Sequence, residues 1–422
     1  MEMIRNNEKQ SYHLAISSSI ILVGFFASVV FHYIMGVYFK LPYPYSTFLF
    51  NPDDVFNDFK NMYYITKDFS PYVSSYWFSS IYFPFANIIF WIFTVINNVE
   101  FSLIVFLSSF GICYGIGIKV VSKKILKMTF IQKVSIFLIA YPMLFALDRA
   151  NIEIFVFLFV GLFVYFYFYK SNYILAAIFL GLAISMKLYP GVFILFFLRD
   201  KKFKQLIVLL IVCVLVSFIP LLIFKGGFTV NLRQMLANMR NFSSSYNGVA
   251  GLQHNNTLYG LLCISFYGFA VIFRNISFSD LTSLGLYEML MKPYLILVII
   301  LFLLIVLFII KTKMRDSLAY LLLTVCMIIF PNISYDYKLI FIIPALIFYI
   351  KNIENEMPNK FTNAVIILIN LLLIPKDYIV IIADVTSNVL LNSIIFIVIM
   401  FLVGYLAIKE NRQNIKKVSL SL

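Results

Sequence analysis

Apolar runs long enough to cross about 30 Å of hydrocarbon recur from residue 14 to residue 408, and the connectors between them are too short to hide a soluble domain. This pattern constrains the chain more than any motif does. Hydrophobic residues reach 62% and charged residues only 12%, far from the roughly 45–50% and about 25% of globular proteins. The expected fold is an all-α polytopic membrane protein, with residues 1–422 forming one membrane-embedded domain. The first run, 14–37, is too long for a signal-peptide core of roughly 7–15 residues and reads as a retained span. Cys113, Cys213, Cys263 and Cys326 all fall in apolar segments without paired spacing, which argues against a disulfide framework or a metal knuckle.

The formal charge of +14 would suggest nucleic acid in a soluble protein, but here the basic residues cluster in short connectors. They lie at Arg5/Lys9, Lys119 to Lys133, Arg199 to Lys204, Lys311 to Arg315, Lys351 and Lys409 to Lys417. The positive-inside bias accounts for them without a polyanionic partner. If all face the cytoplasm, both termini are cytoplasmic and the acidic loop 38–80 lies outside. A multi-pass integral membrane protein is the expectation.

Parity then makes three stretches, 82–95, 173–198 and 258–273, enter and leave on one side. The first is short and carries Pro84; the second is broken at Lys187-Leu188-Tyr189-Pro190. Ten spans remain, near 14–37, 101–118, 134–148, 152–169, 206–224, 292–310, 317–331, 338–350, 361–375 and 389–408, so a bundle of 10–12 helices with re-entrant pieces is expected. Along the chain this gives the first span, a helical acidic outer loop at 38–80, a membrane module at 81–224, a large outer loop at 225–291 with a re-entrant or spanning segment, and C-terminal helices at 292–408. Re-entrant backbone is tolerated only inside protein or beside a wet cavity, which outlines an extracytoplasmic site.

Ionisable groups at membrane depth cost roughly 2.5–3.5 kcal/mol each, so they are candidates for function. The outer loop gathers Asp53, Asp54, Asp58 and Asp68 in a chain with 19 acidic residues. A helix would put Asp54 and Asp58 on one face. Either could take a proton from an alcohol, or the loop could be a plain acidic connector. Arg149, between Asp148 and Glu153, could meet an anion or form an internal pair holding a tight hairpin. Lys187 stands at a proline break, where an ammonium could hold a phosphate or snorkel to an interface. His254-Asn255-Asn256-Thr257 and Pro331 to Lys338 could bind sugar hydroxyls or diphosphate, or could serve as caps and turns. No Walker loop, HExxH, GxSxG or dinucleotide fingerprint is present.

In order along the chain, these elements resemble the GT-C superfamily of polyprenol-phosphate-sugar-dependent glycosyltransferases. The likeness is strongest to glycosyltransferase family 87, and extends to the catalytic subunit of GPI mannosyltransferase I. Asp58-Phe59, Tyr63-Tyr64 and Pro71-Tyr72 resemble the signature of the first outer loop, and Tyr82-Phe83-Pro84 resembles a Tyr-Pro-Pro element. Arg149-Ala150-Asn151 with Glu153 is similar to Arg-Gly-Asn-Ala-Glu, and Gly181 through Pro190 to a Gly-Leu-Ala…Lys-Ile-Tyr-Pro element. Asn256-Thr257 stands where the family has Asn-Gln-Ser, and Pro331 to Lys338 where it has a late motif ending in His-Tyr. Ala150 replaces a glycine, and Tyr337-Lys338 replaces that His-Tyr pair.

The resemblance implies an inverting hexosyltransferase using a polyprenyl-phosphate sugar, mannose among the candidates, and a lipid-linked or cell-surface glycan acceptor. Asp58 would be the base, with Asp54 assisting. Arg149, Lys187 and Lys338 would hold the donor phosphate. Tyr63, Tyr82, Asn151, Glu153, Tyr189, His254, Asn255, Asn256, Asp336 and Tyr337 would line the substrate site. A divalent metal is compatible with this scheme but not required by it. An O-antigen-type polymerase would need basic outer loops, whereas the first loop here is acidic. A flippase or transporter would often show an internal repeat, and the two halves share none.

Overall fold

The computed structural model describes residues 2–74, 76, 78–245, 251–274, 286–353, 360–382 and 385–421. For 2–7, 243–245, 270–274, 286–289, 382 and 414–421 it describes the backbone alone. The chain is all-α and polytopic, with one small hairpin in which Val380–Ile382 pairs antiparallel with Val385–Thr386.

Five described helical segments are long and apolar enough to cross a membrane: Glu8–Tyr38, Val99–Ile125, Phe203–Ile223, Leu290–Lys311 and Ser387–Gln413. A sixth crossing is available if Phe130–Leu138 and Tyr141–Arg149, which meet at a 52° bend, form one broken span. Pro142 lies at the second residue of the later helix, where a missing N–H costs no hydrogen bond. The other expected spans appear as apolar helices of 10–17 residues, among them Glu153–Tyr169, Asp316–Ile329 and Lys360–Leu372. The stretch expected to be re-entrant at 82–95 is the helix Pro84–Thr94, about 16 Å long at 1.5 Å per residue.

Contacts divide the chain into two compact units. The first comprises residues 1–49, 120–144 and 247–422. At its centre, every residue from Ser317 to Ile329 is buried, as is most of Ile342–Lys351. The first helix and Lys360–Leu372 both pack on Ile342–Lys351, while Ser387–Ser421 packs on Asp316–Ile329. A helix surrounded by other helices need not match the bilayer thickness, so these two can be short. Gly24 lets the first helix approach the loop after Leu372: a Cβ there would lie 2.5 Å from Ile374.

The second unit comprises residues 50–119 and 145–246. Phe106 sits at the middle of its aromatic core, with ring centroids 4.8 Å from Phe59, 5.1 Å from Phe155 and 5.2 Å from Phe93. Tilted and edge-on rings at these distances add to the area they bury. Helix Tyr173–Met186 packs between Glu153–Val164 and Phe203–Ile223. Gly181 allows the second of these contacts, since a Cβ there would come within 2.9 Å of Val212.

Candidate functional site

In the second unit, the acidic loop folds as a 3-10 turn, Pro52–Asp54, followed by the helix Asn57–Thr66. Phe56 lies between them with φ +59. Asp54 and Asp58 therefore do not share one helix face, contrary to the expectation from their spacing: the chain breaks between them. Asp58 sits in the first turn of its helix, where the macrodipole favours a carboxylate.

Arg149 brings the two acids together. Its Nη1 donates to Asp54 Oδ2 at 2.6 Å and to the Asp54 carbonyl at 2.9 Å, while Nη2 donates to Asp58 Oδ1. Its guanidinium also stacks on Phe50, 4.1 Å from the ring centroid. The second Asp58 oxygen accepts from Asn151 Nδ2 at 2.5 Å. Arg149 was expected to meet a donor phosphate; instead, its two terminal nitrogens face carboxylates some ninety residues earlier. Nor does it form the expected hairpin pair with Asp148 or Glu153.

The turn after Arg149 explains this geometry. Ala150 has φ +46 and is fully buried, a left-handed conformation that glycine adopts without a Cβ penalty. The turn lets Asn151 Oδ1 accept the Glu153 N–H at 3.0 Å while its Nδ2 reaches Asp58.

Lys187 ends helix Tyr173–Met186 in an extended conformation, and a 3-10 turn starts at Tyr189, so the expected break is present. Its ammonium lies 4.2 Å over the Tyr82 ring and 3.9 Å from Glu153 Oε1. Glu153 is wholly buried; its Oε2 accepts from the Tyr189 hydroxyl, while Oε1 has no hydrogen bond. Tyr82 completes the cluster, its hydroxyl 3.5 Å from Asn151 Nδ2. Burial lowers the Lys187 pKa below the usual lysine value, and the charges of Glu153 and Asp58 partly restore it.

Tyr63, expected at the substrate, is 2% exposed and packs with Phe59 in the core. Positions 59, 62, 63 and 66 form the inner face of Asn57–Thr66. The exposed ring is Tyr64, stacked on Tyr76 at 5.5 Å.

The first unit holds a second polar cluster containing the remaining candidates. Asp336 accepts from Tyr141 at 2.5 Å, Asn256 at 2.7 Å and Asn388 at 2.9 Å, and its Oδ2 lies 2.9 Å from His254 Nδ1. Asn255 is pinned on both sides, its amide donating to the Asn332 carbonyl and its oxygen accepting from the Ser334 N–H, each at 2.9 Å. Asn255 and Asn256 are buried, so these amides close the turns at 254–257 and 332–335 rather than presenting themselves to a sugar. Lys338 donates to the Ile333 carbonyl at 3.0 Å and Tyr337 packs edge-on against Tyr335. Lys338 thus belongs to this unit, whereas Arg149 and Lys187 belong to the other.

Sequence reasoning missed Lys376, Asp377, Asn388 and Asn392, which join the second cluster or border it. Their signal was present: a Lys-Asp pair after Pro375 between two apolar runs, and two asparagines four apart in the last run.

Residues 81–331, more than half of the chain, match the model of glycosyltransferase family 87. The chain belongs to that family and is a membrane glycosyltransferase. The matched range contains Tyr82, Arg149, Asn151, Glu153, Lys187, Tyr189 and His254 to Asn256; Asp54, Asp58 and Asp336 lie outside it. No curated protein and no solved structure matches the chain.

Proposed function

We propose that this protein transfers a hexose, mannose among the candidates, from a polyprenyl-phosphate donor to a lipid-linked or cell-surface glycan acceptor on the extracytoplasmic face, inverting the anomeric carbon. The observation that carries the reading is the placement of Asp58: one carboxylate held from two sides by Arg149 and Asn151, in the same cluster as Lys187.

An ionised carboxylate offers about four lone-pair sites, and Arg149 and Asn151 use two of them. A remaining site accepts the proton of the acceptor hydroxyl as its oxygen attacks the anomeric carbon. The bond from that carbon to the phosphate oxygen breaks, and the electron pair leaves with the polyprenyl phosphate. Lys187, partly desolvated beside Tyr82 and Glu153, stabilises the charge that builds on the departing phosphate.

The assignment to Arg149 changes with the geometry. Its fork serves the two acids, so its role is to hold Asp58 and Asp54 in position, leaving the donor phosphate to Lys187. Tyr82, Asn151, Glu153 and Tyr189 line the same cluster and shape the sugar pocket. In the first unit, Lys338, Tyr337 and the polar turn of His254, Asn255, Asn256 and Asp336 support the fold of that unit.

The test is to supply purified protein in lipid nanodiscs with radiolabelled polyprenyl-phosphate hexoses and a panel of lipid-linked acceptors. Transfer of one hexose with inverted configuration is the expected result. Incorporation from a nucleotide sugar alone, or block elongation of a diphosphate-linked oligosaccharide, overturns the reading.

A further inference from the structure

The second polar cluster holds a concentration of ligating groups that the transfer reaction leaves unused. His254 precedes the helix Leu258–Arg274, Asp336 opens the 3-10 turn Asp336–Phe341, and Asp377 lies between Lys360–Leu372 and the hairpin. A ring nitrogen of His254 and one carboxylate oxygen from each aspartate lie within 4.8 Å of one another, and all three residues are buried.

We infer that His254, Asp336 and Asp377 form a binding site for one divalent transition-metal ion, of the Zn²⁺ or Mn²⁺ kind.

The donor set favours such an ion. One imidazole nitrogen with two carboxylate oxygens suits a borderline metal, whereas Mg²⁺ and Ca²⁺ prefer oxygen alone. Asp377 supplies a second, independent observation that points to a cation. Its Oδ1 accepts from Thr386, but its Oδ2 is buried without a hydrogen bond, and the residue is only 3% exposed. Neighbouring Lys376 makes no hydrogen bond or ion pair with it, although its charge acts on both Asp336 and Asp377; that ammonium donates to the carbonyls of Leu371 and Ile374 at 2.5 and 2.7 Å. A buried carboxylate oxygen without a partner is costly, and a cation bound among the three residues supplies one.

The surroundings are those of a supported site. Tyr43 meets His254 Nε2 at 2.8 Å and is itself held by Gln253 at 2.9 Å. Asp336 is oriented by Tyr141, Asn256 and Asn388, and Asn392 fixes Asn256 in turn at 2.7 Å. Partners of this kind set the tautomer and direction of metal ligands. His254 also has φ +55, a strained backbone that the surrounding contacts must hold. On binding, the hydrogen between His254 Nδ1 and Asp336 gives way to the ion. The imidazole takes the tautomer with its hydrogen on Nε2, donated to the Tyr43 oxygen. The ion then ties three distant chain segments together.

The test uses the full-length protein in detergent, stripped with EDTA, desalted, and offered ZnCl₂, MnCl₂ or MgCl₂. Bound metal is counted by elemental mass spectrometry and the melting temperature is recorded. Zn²⁺ or Mn²⁺ should remain at one ion per chain and raise the melting temperature, while Mg²⁺ does neither. Asp377→Asn and His254→Gln should each lower retained metal by about tenfold or more, the scale on which even outer partners act. Wild-type protein that retains neither ion and shows no thermal shift overturns the inference, without reliance on any variant. Full retention by Asp377→Asn overturns it as well.

Discussion

The backbone N–H of Phe56 donates to the carbonyl of Asp148 at 2.8 Å, so main chain alone joins the acidic loop to the arginine turn. Side chains add to that junction: Arg149 reaches Asp54 and Asp58, and Asn151 reaches Asp58 from the other side. The candidate base is thus fixed by the turn that follows helix Tyr141–Arg149.

Arg149→Lys separates positioning from phosphate binding. A lysine carries one point charge and cannot fork between two carboxylates. Losing a hydrogen bond to a charged group costs roughly 1.5–3 kcal/mol, so the turnover number should fall about ten- to a hundredfold, with donor affinity nearly unchanged. Kinetics at varied donor concentration check this. A rise in donor KM with unchanged turnover would make Arg149 a phosphate ligand instead.

On the donor-phosphate role proposed for Lys187, its charge should set the alkaline limb of donor binding. Burial lowers its pKa from the usual lysine value, so its charge is lost at a lower pH than that of an exposed lysine, and donor affinity falls as pH rises through that point. Glu153 raises the Lys187 pKa. Glu153→Gln should therefore move the limb to lower pH, and Lys187→Arg should move it beyond the measurable range. Donor affinity measured across alkaline pH decides the matter; a limb unmoved by both variants removes Lys187 from the donor site.

Ala150→Gly should stabilise the protein. The left-handed φ of Ala150 costs an L-residue roughly 1–2 kcal/mol relative to glycine, partly offset by the extra chain entropy of glycine. The net gain is about 0.5–1 kcal/mol, with transfer activity retained. Thermal unfolding in detergent reads it; a lower melting temperature would show that the methyl group is needed for packing.

The membrane character of the chain was legible because apolar runs of spanning length can be read without neighbours. Lys187 at a break was also legible, since Pro190 announces it. The partners were not. Nothing in the local sequence pairs Arg149 with Asp54 and Asp58, because that contact depends on the left-handed turn at Ala150 and on the left-handed break at Phe56. Tyr63 was misplaced because a Tyr-Tyr pair does not say which ring faces inward until the phase of Asn57–Thr66 is known. Asp377 and Asn392 escaped notice because their neighbours read as span ends, although polar residues in such positions need partners.

The central claim is that Asp58 accepts the proton of the attacking hydroxyl, and single-turnover transfer by purified Asp58→Asn, with donor binding measured alongside, tests it most directly. The amide preserves shape but cannot act as the base, so the transfer rate should fall by about 10²- to 10⁴-fold while the protein stays folded and binds donor as before. A transfer rate within about twofold of wild type, barely any difference in transition-state free energy, would contradict the account.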